Sequence, residues 1–256
     1  DAMGEGPHSN CKISVTTSDN VTSDNLSVNS FVIDTIAPSL SQVTAVTNPI
    51  NSQSPNYTFH STEAGTITYG GSCSSSDNNT TTNADNNTTI TLQRTNGSVL
   101  ADGTTYSDCK ISVTDNASNT SDNLTVNTFT VDVTRPSLSY VTGGRVPTPD
   151  NNSTPDYTFT SSEAGTISYG GACGSSDSSS RSLGENTVTL TQPDNSTPLS
   201  DGTHNCTIIV TDNASNPSSA HTVEGKDQLG NSTDNFTIGA TKPALAEVTA
   251  VTNPTN

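Results

Sequence analysis

Apolar residues in this chain fall in short alternating runs rather than in helical stripes. Tyr57 and Phe59 alternate with polar neighbours in Asn56–His60, Ile67 and Tyr69 in Thr66–Tyr69, and Ile90 and Leu92 in Thr88–Leu92. Cys109, Ile111 and Val113 do the same in Tyr106–Val113, and Leu40–Val46 and Leu124–Val131 complete the set. A period of two buries one face of a segment and wets the other, so each run reads as a half-buried β-strand. Gly, Asn, Asp and Pro clusters punctuate the runs as turns do, and no stretch holds a 3.6-residue period long enough for a helix. In the last run the inward parity changes, from Leu124 and Val126 to Phe129 and Val131, which predicts a bulge near Asn127–Thr128. Leu26, Val28, Phe31 and Ile33 show the same change.

The pattern recurs at a spacing of about a hundred residues. STEAGTITYGGSC, from Ser61 to Cys73, returns as SSEAGTISYGGAC from Ser161 to Cys173. APSLSQVTAVTNP at Ala37 returns as RPSLSYVTGGRVP at Arg135 and as KPALAEVTAVTNP at Lys242, and the residues from Cys11 align on those from Cys109. Two complete copies are expected, 37–134 and 135–242, the second with an insertion near 217–230. Residues 1–36 read as the closing part of a preceding copy and 243–256 as the first strand of a following one, so the chain is expected to be an excerpt of a longer array. About seven short strands per copy, each with one face to bury, predict an all-β fold of tandem immunoglobulin-like β-sandwich domains.

The cysteines follow the copies. Cys73 closes the third strand and Cys109 opens the penultimate one, and these strands are sheet neighbours in such a sandwich; Cys173 and Cys206 repeat the arrangement. Disulfides Cys73–Cys109 and Cys173–Cys206 are therefore expected, with Cys11 pairing outside the excerpt. Closing a loop of this size is worth about 4 kcal/mol in the chain-entropy model. The alternatives are reduced thiols, or metal ligation without any CxxC or neighbouring His to favour it. Disulfides imply an oxidising, extracellular setting. LADGTTYSDC places Tyr106 just before the penultimate strand, as in a tyrosine corner whose hydroxyl ties down the loop. His204 and His8 take that place in the other copies, which gives them a structural reading over a catalytic one.

Composition narrows the function. The chain has 256 residues, only 28% of them hydrophobic, no Trp and one Met, and it is rich in Ser, Thr and Asn. Its net charge is −17, from 25 acidic and 8 basic residues. That surface lacks the basic footprint of a nucleic-acid binder and is unsuited to an anionic membrane, and no apolar run approaches membrane-spanning length. Catalysis would need converging acid, base or nucleophile groups. The four histidines are scattered and no G-x-S-x-G occurs, so an enzyme is not expected. The N-x-S/T sequons at Asn56, Asn79, Asn87 and Asn123 are expected by chance in such a composition, and the Thr-rich runs form no regular array that would bind ice or sugar.

The junction segments VIDTIAPSL and VDVTRPSL, the paired STEAGTITYGG and SSEAGTISYGG, and VTDNASN together resemble the tandem bacterial immunoglobulin-like repeats of very large surface adhesins and biofilm-associated proteins. The resemblance covers both full copies. It implies a rod-like extracellular stalk or adhesive region on the bacterial cell surface, an extended rod of sandwiches with calcium between domains. The topology gives that implication residues. In such a sandwich the loops after the second and the penultimate strands lie at the end where the first strand begins. Glu63, Asp115 and Asn119 occupy those loops and Asp34 the incoming segment; Asp132, Glu163, Asp212 and Asn216 repeat them. Oxygen donors of this kind suit Ca²⁺. The competing reading is that Asp115 and Asn119 only cap a tight turn, with Asp34 and Glu63 solvated. Thr17 replaces the aspartate in the leading segment, and TIGATKP lacks the incoming one, so sites are expected to be weak or absent there. In the second copy Asp227 and Asn231 could duplicate Asp212 and Asn216, of which the latter pair directly continues its strand.

The leading expectation is a non-enzymatic extender repeat whose partners are neighbouring repeats of the same chain. The alternatives are a self-assembling filament, in which an identical chain completes the broken copies by strand exchange, and a glycan- or ligand-binding module.

Overall fold

The structure is a computed structural model that describes residues 3–77, 85–177 and 180–239. Asn79, the TKP of the last junction and the expected strand in 243–256 lie outside the described residues. The chain divides into two compact units, Asp1–Val131 and Asp132–Asn256. The division falls before Asp132 rather than after Thr134, and Asp132 is tied to the second unit, its carbonyl accepting the Asn216 side-chain amide at 2.8 Å.

The first unit opens with Gly6–His8 (β1), Lys12–Ile13 (β2), Leu26–Ser27 (β3) and Phe31–Ile33 (β4), paired antiparallel as β1 with β4 and β2 with β3. Leu40–Thr44 (β5), Asn56–Ser61 (β6), Thr66–Gly70 (β7), Cys73–Ser75 (β8) and Asn86–Arg94 (β9) follow, then Thr105–Tyr106 (β10), Lys110–Thr114 (β11), Leu124–Thr125 (β12) and Phe129–Thr130 (β13). One sheet runs β5-β6-β9-β8 and the other β12-β11-β7, with β10 and β13 paired beyond it. No helix occurs among the described residues. Tyr57, Phe59, Ile90 and Leu92 from the first sheet and Ile67, Ile111, Val113, Val126, Phe129 and Val131 from the second are buried, as alternation requires of two sheets packed face to face. Of the matching positions in the leading segment, Ile13 and Val15 are 55% and 66% exposed, and Val28, Phe31 and Ile33 are only half-buried.

The second unit repeats the plan with Leu138–Tyr140 (β14), Val146–Pro147 (β15), Asp156–Ser161 (β16), Gly165–Gly171 (β17), Ser180–Arg181 (β18) and Gly184–Thr189 (β19). Gly202–His204 (β20), Cys206–Asp212 (β21), His221–Thr222 (β22), Gly225–Lys226 (β23), Ser232–Thr233 (β24) and Phe236–Ile238 (β25) complete it. Its sheets are β14-β16-β19 and β18-β17-β21-β22, with β20 paired to β25 and a small β15-β23-β24 sheet. Tyr157, Phe159, Ile167, Val188, Leu190, Ile208, Val210, Val223, Phe236 and Ile238 form its core.

Three features differ from the sequence expectation. First, Cys73 does not close β7. The chain turns at Gly70–Ser72 and Cys73 opens β8, which pairs with β9 in the opposite sheet, so the Cys73–Cys109 disulfide joins one sheet to the other (Cα–Cα 5.2 Å). Cys173–Cys206 is likewise bonded (5.4 Å), next to the bridge of Gly174 to Thr191. The repeated glycines make this turn: a Cβ on Gly71, whose φ is 75°, would collide with the Asp108 carbonyl, and one on Gly171 with that of Asn205.

Second, the parity change in the last strand is a break rather than a bulge. β12 pairs with β11, whereas β13 pairs with β10. The first strand crosses between the sheets at the same level, and Asn127 closes the gap. Its Oδ1 accepts the Val46 N–H at 2.9 Å and its Nδ2 donates to the Val46 carbonyl at 2.8 Å, so a side-chain amide substitutes for a strand.

Third, the extra residues of the second copy lie not at 217–230 but at 225–234. His221 pairs with Ile208 and Phe236 with His204, as Leu124 does with Ile111 and Phe129 with Tyr106. The insertion is thus a β23–β24 hairpin placed where Asn127–Thr128 break the first copy's last strand.

Replacing Asn127 by Ala leaves both Val46 backbone groups without their partners. The expected loss is about 1–3 kcal/mol, read from denaturant unfolding of the first unit; an unchanged midpoint would show that the clamp is incidental.

Candidate functional site

At the end of each sandwich where the first strand begins, three carboxylates converge. One oxygen each from Asp34, Glu63 and Asp115 lies within 4.8 Å of the others, and Asp132, Glu163 and Asp212 form the same group in the second unit. Among the described residues these are the groups of three or more His, Cys, Asp or Glu that could share an ion.

Each member is held by a local device. The loop carrying Glu63 is pinned by Ser61, which is fully buried and donates through Oγ to the Glu63 carbonyl at 2.7 Å; Ser161 does so for Glu163 at 2.6 Å. Gly65 and Gly165 follow, and a Cβ on either would strike the backbone of Thr114 or Thr211, so only glycine brings this loop against the neighbouring strand. Asp34 and Asp132 each accept the N–H two residues on, from Ile36 and Thr134, both at 3.2 Å.

Asp115 and Asp212 are 8% exposed and are wired into a five-residue loop. Oδ1 of Asp115 accepts the N–H groups of Ala117 and Asn119 at 2.8 and 2.9 Å, and its Oδ2 accepts Asn119 Nδ2 at 2.9 Å. Asn216 makes the same two bonds to Asp212, at 2.8 and 2.9 Å. Ser118 and Ser215 sit at φ 74° and 72°, the left-handed region. The asparagines, expected as ligands, also serve as ties: their Nδ2 groups donate to the carbonyls of Asp34 and Asp132, at 3.1 and 2.8 Å. Each asparagine therefore fastens the incoming segment to the loop that holds the carboxylate.

Two further loops separate the turn from the acidic group. Asp227 accepts the N–H of Leu229 and Asn231 and the Asn231 side-chain amide, in the inserted hairpin and outside either carboxylate group. The leading segment keeps the turn without the carboxylate or the amide: the Thr17 N–H donates to the Val21 carbonyl at 2.9 Å and Thr17 Oγ1 accepts the Val21 N–H at 3.3 Å. The Asp–Asn pairing is thus a turn device in its own right, and the carboxylate cluster is built on top of it in two of these four loops.

The electrostatics are divided. Partial burial opposes ionisation of Asp115, but the Asn119 side chain and the N–H groups of Asn119, Ala117 and Ser118 outweigh it and hold its carboxyl below the ordinary value. Glu63 is pushed the other way, by desolvation and then by the charges of Asp34 and Asp115. Its ionised form is therefore opposed at neutral pH, and the opposition disappears as pH falls through its raised value. Three hard oxygen donors under mutual repulsion fit a divalent cation of the calcium class.

The histidines and Tyr106 occupy structural posts elsewhere. The Tyr106 hydroxyl accepts the Ala101 N–H at 2.8 Å, and Nε2 of His204 and of His8 lies 2.8 Å from the carbonyls of Ser200 and Gly4. Each ring stacks on the phenylalanine that ends its copy, Phe129, Phe236 or Phe31.

In calcium-free buffer, Glu63→Gln removes one of three repelling charges and is expected to raise the melting temperature of the first unit. A lower melting temperature would mean that Glu63 is held by favourable partners instead of opposed by Asp34 and Asp115.

No family model and no curated protein matches the chain. Among solved structures it is similar to the fibronectin(III)-like modules of CbhA from Clostridium thermocellum, at 11% identity and a TM-score of 0.41, over 82% of this chain and 100% of that one. It is also similar to the D00-D0 domain of intimin, at 14% identity and a TM-score of 0.31, over 72% of this chain and 98% of that one.

Proposed function

We propose that the chain is a stretch of non-enzymatic extender repeats from a bacterial surface adhesin, and that each carboxylate group holds a calcium ion which fastens the incoming segment to its sandwich. The observation that carries this reading is the recurrence of one arrangement in two copies: an aspartate from the incoming segment, a glutamate behind a serine-pinned turn, and an aspartate whose asparagine partner grips the incoming carbonyl. Asp34, Glu63 and Asp115 would hold the ion in the first unit, and Asp132, Glu163 and Asp212 in the second. The cation supplies charge neutralisation, and the residues supply position. Asn119 and Asn216 orient the loop, and Ser61 and Ser161 set the glutamate. Disulfides across both sandwiches support an oxidising location such as the cell exterior, and the −17 net charge supports a soluble, self-repelling surface. A stalk whose work is reach needs stable modules and a held incoming segment, and these features would serve both.

Calcium is expected to raise the melting temperature of both units and EGTA to reverse it, with Glu163→Gln abolishing the response of the second unit alone. Melting curves that ignore calcium would end the metal part of the proposal. Sedimentation over a concentration series tests the extender reading separately: one size throughout is expected, whereas growing polymers would favour the filament.

A further inference from the structure

The two copies close one seam with different chemistry. In the first, where the first strand leaves β5 for the other sheet, Asn127 clamps Val46 and Tyr57 reaches Gln42 at 3.4 Å. The ladders fix the equivalent positions in the second. Tyr140 pairs with Phe159 as Gln42 does with Phe59. His221 stands opposite Ile208 as Leu124 does opposite Ile111. Val223 donates to the Cys206 carbonyl as Val126 does to that of Cys109, so Glu224 follows at the place of Asn127. Gln42, Leu124 and Asn127 have thus given way to Tyr140, His221 and Glu224, and Arg145 joins them.

These four residues touch. Arg145 Nε donates to Glu224 Oε2 at 2.5 Å, and the guanidinium carbon lies 5.2 Å from the centre of the Tyr140 ring. That ring is 4.4 Å from the His221 imidazole, whose Nε2 is 2.9 Å from the Tyr157 hydroxyl. His221 is 7% exposed. The Val146 N–H donates to the Glu224 carbonyl at 3.2 Å and the Thr148 N–H to that of Lys226 at 2.9 Å. The cluster therefore sits at the root of the inserted hairpin, beside the parallel pairing of β15 with β23.

We infer that this seam is an acid-sensitive latch on the 225–234 hairpin: protonation of the buried His221 loosens the pairing of β15 with β23, while the amide-clamped seam of the first copy stays closed. The charged and titratable groups around His221 are Tyr140 from β14, Arg145 ahead of β15, Tyr157 from β16 and Glu224 from its own segment. Arg135 lines the groove beside it, and Asp234, where the hairpin closes, acts on Tyr140. Two of these groups are cations and two are phenols. Glu224, which favours an imidazolium, is already engaged by Arg145, so its charge is shared with a guanidinium that disfavours one. Burial holds the His221 imidazole below its ordinary value, with Glu224 opposing. Because the folded value lies below the unfolded one, the cost is absent at neutral pH and grows as pH falls below about 6.5.

The test is amide hydrogen exchange on the full chain between about pH 7.5 and pH 5, with labelling times corrected for intrinsic rates. Amides of 144–150 and 221–238 are expected to lose about tenfold in protection, those of 44–50 and 124–131 to keep theirs, and His221→Leu, which restores the first copy's residue, to flatten the response. Equal losses in both copies, or an undiminished loss in His221→Leu, would overturn the latch. Should that variant not fold, imidazole titration by NMR in the unsubstituted chain decides. His221 titrating below the other histidines, in step with the loss of protection, supports the latch. Titration at the ordinary value with the seam unaffected overturns it.

Discussion

The rest of the structure depends on a covalent bond between two sheets. A chain that is only 28% hydrophobic has little apolar surface with which to offset the entropy of ordering its backbone, about 1–2 kcal/mol per residue. Each sandwich gathers what there is into one layer, and a disulfide from β8 to the start of β11, or from the start of β21 to its partner at Cys173, confines the unfolded chain. That economy leaves the outer faces free to be Ser, Thr and Asn. It also explains why the thirteen residues ending at Cys73 and Cys173 are nearly the same: they carry the second-to-third strand turn, the glycine turn and one half of the staple.

Around that frame the copies use side chains as pieces of backbone. Asn127 clamps Val46, Asn119 and Asn216 bind both a carboxylate and an incoming carbonyl, and Ser61 and Ser161 pin the acidic turns. A sequence rich in short hydrogen-bonding residues is suited to such loops, because these side chains compete with regular secondary structure and favour turns and caps. The acidic groups then gather at one end of each sandwich as a consequence of topology.

Much of this is legible in the sequence, and the departures have identifiable causes. Period-two alternation locates β6, β7, β9 and β11 because one face of each is buried. Cys73–Ser75 carries no alternation, so β8 leaves no signal and the staple reads as a bond between neighbours in one sheet. The parity change at Asn127 is visible, but that its amide reaches Val46, 81 residues away, is not. The insertion reads at the wrong place because KDQLGNSTDNF resembles TDNASNTSDNL. The resemblance is physical, since Asp227 wires its turn as Asp115 does, yet the turn occupies another part of the sandwich. Asp34, Glu63 and Asp115 follow from topology alone, whereas the structural use of Asn119 requires seeing which way its amide points. The seam of Tyr140, Arg145, His221 and Glu224 has a sequence signal, four departures between otherwise matching copies, but its meaning depends on the ladder register.

The most direct test is equilibrium unfolding of the chain in denaturant with its disulfides intact and after reduction. If the inter-sheet bond sustains these small cores, reduction lowers the stability of each unit by about 4 kcal/mol, and both transitions move to lower denaturant. Transitions that stay where they were would show that the cores suffice alone, and would contradict the dependence of each sandwich on its covalent staple.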